Sequence, residues 1–94
     1  MANKRREQNT SKKTIEPVVT LFDEANYIRI TAELPEIREE TIRIDLEKST
    51  LFISASGNGR QYKKEIPLPV RIRFGNKRFR NGVLELYLEK TNTP

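Results

Sequence analysis

Apolar and polar residues alternate with a period of two through most of the chain after residue 16. In the stretch beginning at Tyr27, Ile28, Ile30, Ala32 and Leu34 fall on one side, and Arg29, Thr31 and Glu33 on the other. Thr41 to Glu47 repeats the pattern, with Ile42, Ile44 and Leu46 set against Arg43 and Asp45. Leu51, Ile53 and Ala55 alternate with Phe52, Ser54 and Ser56, and Leu84, Leu86 and Leu88 with Glu85, Tyr87 and Glu89. A period of two predicts strands with one buried face, as in antiparallel sheets. No comparable stretch carries a stripe at helical spacing.

Turn residues divide these strands. Asn81-Gly82 predicts a two-residue hairpin, because both central positions tolerate positive φ. Gly57-Asn58-Gly59 separates Leu51–Ser56 from a strand over Arg60–Leu68, and Asp23–Asn26 links a Val18–Phe22 strand to the one at Tyr27. Pro35 ends the Tyr27 strand, and Glu36–Glu40 is expected to make one helical turn. Pro67 and Pro69 lack a donor and mark a strand end or an exposed edge. Six or seven short strands in about 75 residues predict an all-β sandwich or small barrel.

Composition sets the domain boundaries. Of the 94 residues only Met1 and Ala2 are apolar before Ile15. Such a segment cannot bury enough surface to offset its chain entropy. Residues 1–14 are therefore expected to be a flexible basic arm, 15–91 the domain, and 92–94 a short tail. No apolar run approaches the roughly 18 residues of a membrane span, and the basic start lacks the apolar stretch of a secretion signal.

The chain has no Cys and no His. That excludes disulfide scaffolds, thiol nucleophiles, Cys/His zinc sites and His-based acid–base chemistry. The absence of cysteine is compatible with a reducing cytosol, and a cytoplasmic location is expected. Glu36, Glu39 and Glu40 form the densest carboxylate cluster, in a polar loop where ionised acids are ordinary. Asp45 and Glu47 lack the clustered partners of a metal site. Gly57-Asn58-Gly59 has neither a following helix nor the third glycine of a dinucleotide fingerprint. Asn9-Thr10-Ser11 is a glycosylation sequon without a secretion signal beside it. The expectation is no enzyme, no cofactor and no metal.

Charge is segregated along the chain, which carries +5 overall: residues 16–47 sum to −6 and residues 48–80 to +8. Two complementary surfaces or simply solvated strand faces both satisfy this pattern. Arg60, Lys63, Lys64, Lys77, Arg78 and Arg80 are candidates for a basic surface, and Phe74 and Phe79 interleave the basic run 71–80. Small β-domains bind single-stranded nucleic acid with positive grooves and stacking aromatics. The competing reading places both Phe residues in the core, and no RNP-like or KH-like motif is present. No specific nucleic acid is expected as a partner.

Four segments, in order, carry a family resemblance. Ala32-Glu-Leu-Pro-Glu-Ile-Arg-Glu-Glu-Thr-Ile-Arg-Ile-Asp-Leu-Glu47 followed by Leu51-Phe-Ile-Ser54 resembles the central stretch of the α-crystallin domain of small heat-shock proteins. Tyr62-Lys-Lys-Glu-Ile-Pro-Leu-Pro69 resembles that family's basic strand ending in Leu-Pro. Asn81-Gly-Val-Leu84, running on to Lys90, resembles its closing hairpin, and Pro17–Glu24 its opening strand. The resemblance spans about residues 16–90. It implies an antiparallel, immunoglobulin-like β-sandwich and ATP-independent holding of unfolded or assembling client proteins in stress. It also implies an apolar groove between the Thr41–Glu47 strand and a strand over roughly Phe74–Arg80, lined by Ile44, Leu46 and Phe79. From sequence alone these three fit a groove and a core equally well.

The chain departs from the family pattern in places. Gly57-Asn58-Gly59 occupies the position of a long loop with a strand exchanged between subunits. Thr91-Asn-Thr-Pro94 has no Ile-x-Ile-type anchor, the arm is polar rather than apolar, and Lys77 stands where a small Ala is common. Glu65 and Pro67 interrupt the basic strand. A minimal family member is expected, self-associating at most as a weak dimer. A co-chaperone or assembly-factor docking module resembling the CS-domain proteins, and a basic nucleic-acid-binding β-domain, are the alternatives.

Overall fold

The computed structural model describes residues 13–91. Eight strands, β1 (Lys13–Ile15), β2 (Val18–Asp23), β3 (Tyr27–Glu33), β4 (Arg43–Glu47), β5 (Thr50–Gly57), β6 (Arg60–Pro67), β7 (Ile72–Arg80) and β8 (Val83–Lys90), form two four-stranded sheets. One runs β1-β6-β5-β4 and the other β2-β3-β8-β7. Every pairing is antiparallel except β1 with β6.

The period-two reading of the core holds. Ile28, Ile30, Ala32, Leu51, Ile53, Ala55, Leu84, Leu86 and Leu88 are buried between the sheets, joined by Leu34, Tyr62 and Ile66. Ile30 stands opposite Leu86, and Ile28 opposite Leu88, at the centre of the second sheet. Each fully buried Leu or Ile contributes roughly 1.5–3 kcal/mol by leaving water. Among the described residues the core contains no buried polar or charged side chain.

Both expected hairpins form: Asn81-Gly82 makes its two-residue turn, and of Gly57-Asn58-Gly59 only Asn58 and Gly59 turn, since Gly57 still belongs to β5. Asn58 and Gly59 have φ of 49° and 75°, and Asn81 and Gly82 have φ of 52° and 79°. Both pairs meet the type I′ requirement of positive φ at each central residue, which matches the twist of the flanking strands. The closing pairs are Gly57 with Arg60 and Arg80 with Val83.

Four expectations are corrected. Lys13 and Thr14, assigned to the arm, belong to β1, which pairs with Arg60–Tyr62; the rest of the arm and the 92–94 tail lie outside the described residues. With β1 the strands number eight rather than six or seven. The helical turn expected over Glu36–Glu40 is instead a 3-10 turn over Glu39–Thr41, because Glu36 has φ 62° and Arg38 is extended. The Arg38 N–H donates to the Ser56 carbonyl at 3.0 Å, which ties this loop to the end of β5. Thr41 Oγ1 accepts the Ser56 N–H at 2.9 Å and donates to the Arg38 carbonyl at 2.6 Å. Thr41 therefore belongs to the turn, and the strand expected from it starts at Arg43. Gly57 permits the close approach, since a Cβ there would stand 2.6 Å from the Ile37 Cα.

Candidate functional site

β4 and β7 are edge strands of opposite sheets on the same open side of the sandwich. The core-facing row of β4 is Ile44 and Leu46, paired with buried Ile53 and Leu51, and Ile42 precedes it. All three are half-buried and packed on the core. With no further strand to cover them, they serve as core and as bank at once.

A bulge in β7 sets the other bank. Phe74 pairs with Leu88, but Asn76 pairs with Tyr87 and Lys77 with Leu86, so the register shifts between Phe74 and Asn76. Residues opposite Leu88, Leu86 and Leu84 face the core side. Those residues are Phe74, Lys77 and Phe79, whereas Arg73, Arg78 and Arg80 fall on the outer row. A bulge adds one unpaired residue and reverses the alternation beyond it. Gly75 is that residue.

Glu39, Ile42, Lys77, Arg78, Phe79 and Leu84 line a cleft of about 290 Å³ between the banks. Of the three residues expected in a groove, Phe79 lines this cleft, while Ile44 and Leu46 extend its bank along β4. Phe74, 45% exposed, continues the β7 bank. Ile42 and Lys77 were not assigned to the groove from sequence. Ile42 carries the same alternating signal as Ile44, but Lys77 is placed there only by the bulge.

The six basic candidates do not form one surface. Arg60, Lys63 and Lys64 lie on β6 in one sheet, and Lys77, Arg78 and Arg80 on β7 in the other. Lys63 is on the outer face of its sheet, opposite Ser54. Arg60 approaches Glu36 at 3.5 Å, Lys64 approaches Glu16 at 3.5 Å, and Arg78 approaches Glu85 at 3.6 Å. Exposed pairs of this length contribute at most about 1 kcal/mol each. In the 3-10 turn, the Glu40 carboxyl is held below the usual carboxylate range by a backbone N–H and then by Arg38, whose guanidinium lies 2.8 Å away. Among the described residues no group of three acids is placed to hold a metal ion.

Two sheets in the orders β6-β5-β4 and β2-β3-β8-β7, with an open β4/β7 side, define an α-crystallin-type sandwich, the fold of small heat-shock proteins. Heat shock protein 16.0 from Schizosaccharomyces pombe superposes with a TM-score of 0.74 at 18% identity, over 94% of this chain and 74% of that one. HSP18.5 from E. histolytica gives 0.75 at 20%, over 85% and 93%. The hspA protein from Xanthomonas axonopodis gives 0.72 at 22%, over 81% and 94%. No family model and no curated protein sequence matches the chain.

Proposed function

We propose that the chain is a small heat-shock-type chaperone that holds non-native or assembling proteins without nucleotide, metal or catalysis. The observation that carries this reading is the open β4/β7 side, where Phe74, Phe79, Ile42, Ile44 and Leu46 offer partly exposed apolar surface inside a sandwich of that fold. Holding requires accessible apolar surface of modest extent, surrounded by charge that keeps the complex soluble. Glu39, Lys77 and Arg78 supply charge at the cleft. The proposed setting is the cytoplasm, and the partners are unfolded clients and, weakly, a second copy.

Light scattering of a heat- or reductant-destabilised client tests the reading. Near-stoichiometric protein should slow aggregation with no effect of ATP, and Phe74→Ser should weaken the effect while leaving the circular dichroism melt close to wild type. Unchanged scattering at a several-fold molar excess would overturn it. A docking module on the same sandwich would then stand, a reading favoured by the two-residue Asn58-Gly59 turn, which inserts no strand for exchange between subunits.

A further inference from the structure

The outer face of the β2-β3-β8-β7 sheet, away from the cleft and the core, carries a row of aromatic side chains. Phe22 stands opposite Arg29, Arg29 opposite Tyr87, and Tyr87 opposite Asn76, so one row crosses all four strands. The Arg29 guanidinium lies over the Phe22 ring, 4.0 Å from its centroid. Tyr27 sits beside the row with its ring centroid 6.1 Å from that of Tyr87, and it is 38% exposed. Three of the chain's seven aromatic residues therefore share one solvent-facing surface. A cross-strand aromatic pair by itself is an ordinary sheet-stabilising contact.

The charge beside this row gives it a second meaning. Between Glu65 and Glu85 the sequence holds Arg71, Arg73, Lys77, Arg78 and Arg80 and no carboxylate. All five are exposed on or next to β7, but only Arg73, Arg78 and Arg80 fall on the outer row with the aromatic side chains; Lys77 turns to the cleft side and Arg71 precedes the strand. Arg73 and Arg78 face Glu89 and Glu85 of β8 at 2.9 and 3.6 Å. Arg71, Lys77 and Arg80 have no carboxylate within 4 Å among the described residues. Glu33 is the remaining acid on this face. Arg73, Arg78 and Arg80 thus line the β7 side of a sheet face on which Tyr27 is exposed and Phe22 and Tyr87 are half-buried.

We infer that this face binds single-stranded nucleic acid without sequence selectivity, with phosphates along β7 and bases stacked on Tyr87 and Tyr27. Every base has a π-face, so stacking tolerates any sequence, and a positive track beside it guides the backbone. A duplex keeps its base faces covered, and this sheet presents no helix to a major groove. The aromatic row lies on the face of the sheet away from the β4/β7 cleft, and Arg78 borders both, so variants of Tyr87 test this function apart from client holding.

The chain provides its own probe. It has no Trp and three Tyr, and Tyr62 is buried in the core, so two of the three emitters lie on the proposed surface. Titrating the full chain with a fluorescein-free oligothymidylate at low salt should quench tyrosine emission. In parallel, anisotropy of a labelled oligothymidylate should show binding that weakens steeply with salt. Tyr87→Phe should keep the affinity, Tyr87→Ala should lower it about tenfold, and Arg71→Gln with Arg80→Gln should flatten the salt dependence. A duplex of the same length should bind more weakly. The absence of any anisotropy change at about 100 micromolar protein (the weak end of nonspecific binding) would overturn the inference. So would binding that leaves tyrosine emission unquenched, which would assign the attraction to charge alone, the basic residues before Lys13 included.

Discussion

Gly75 lies so close to Tyr87 that a Cβ on it would stand 2.7 Å from the Tyr87 carbonyl oxygen. The missing side chain lets the bulge of β7 lie this close against β8. Beyond it the alternation is reversed, so Phe79 turns toward the core and Arg78 and Arg80 turn outward. One small residue thereby sets both the cleft bank and the outer basic row. Gly75→Ala should cost about 1–3 kcal/mol, the usual penalty for crowding a packed position, and should speed hydrogen exchange in β7. Urea unfolding with amide exchange checks both.

Gly57→Ala should also destabilise, because the new methyl would meet the backbone at Ile37, Glu36 and Arg38 within 2.9 Å. Backbone cannot swing aside as a side chain can. The expected loss is about 1–3 kcal/mol, and loosening of the 36–41 loop should appear in the amide shift of Ser56.

Leu86→Ala removes a fully buried side chain opposite Ile30. A loss of about 2–5 kcal/mol is expected, a large part of what a domain of this size has to spare. Thermal melting should show a Tm lowered by well over ten degrees, or no cooperative transition.

Glu40 should titrate below the ordinary carboxylate range because a backbone N–H and Arg38 favour its ionised form. A carboxyl whose pKa is depressed by folding adds stability above its unfolded pKa, and that contribution is lost as pH falls through the folded value. Arg38→Gln should move the Glu40 midpoint upward, read by side-chain carboxyl NMR shifts. The accompanying loss of stability should be small, since the group is exposed, and should be present at neutral pH and vanish in acid below the folded pKa.

Solution mass should correspond to one or two chains at micromolar concentration. β5 and β6 are joined by two residues, so no strand between them is left to exchange. The free edge of β2, with Val18 62% and Leu21 38% exposed, offers a place for weak pairing. Sedimentation equilibrium showing a stable particle of a dozen or more chains would contradict this.

Much of the sandwich was legible because alternation and turn chemistry are local signals. Ile28, Ile30 and Ala32 announce one buried face, and Asn81-Gly82 announces its turn. β1 was not legible: Lys13-Thr14-Ile15 has a single apolar residue, and it forms a strand only because β6 supplies a parallel partner 47 positions away. The turn at Lys48 was equally silent, since Lys48 adopts φ 56° without Gly or Asn at that position. In the candidate site, the alternation marks Ile44 and Leu46 as core-facing, but nothing in it places Lys77 at the cleft. A strict period of two from Ile72 would put Asn76 and Arg78 inside, and only the bulge reverses this. The aromatic row escaped notice for another reason: Phe22, Arg29 and Tyr87 come from strands whose lateral order no sequence pattern specifies.

The place of β8 has a consequence for synthesis. Hairpins β2–β3, β4–β5, β5–β6 and β7–β8 each join neighbours in the chain, but β3 pairs with β8, Tyr27 meeting Glu89. Closing so long a loop loses chain entropy before its contacts form, which slows folding. As the chain leaves the ribosome, the sheet built on β4, β5 and β6 has its partners early. The β2–β3 hairpin precedes the other hairpins yet must wait for β8, the last of the described strands, with Ile28 and Ile30 uncovered in the interval. A nascent chain of this protein is, for that time, in need of the same protection proposed for its clients.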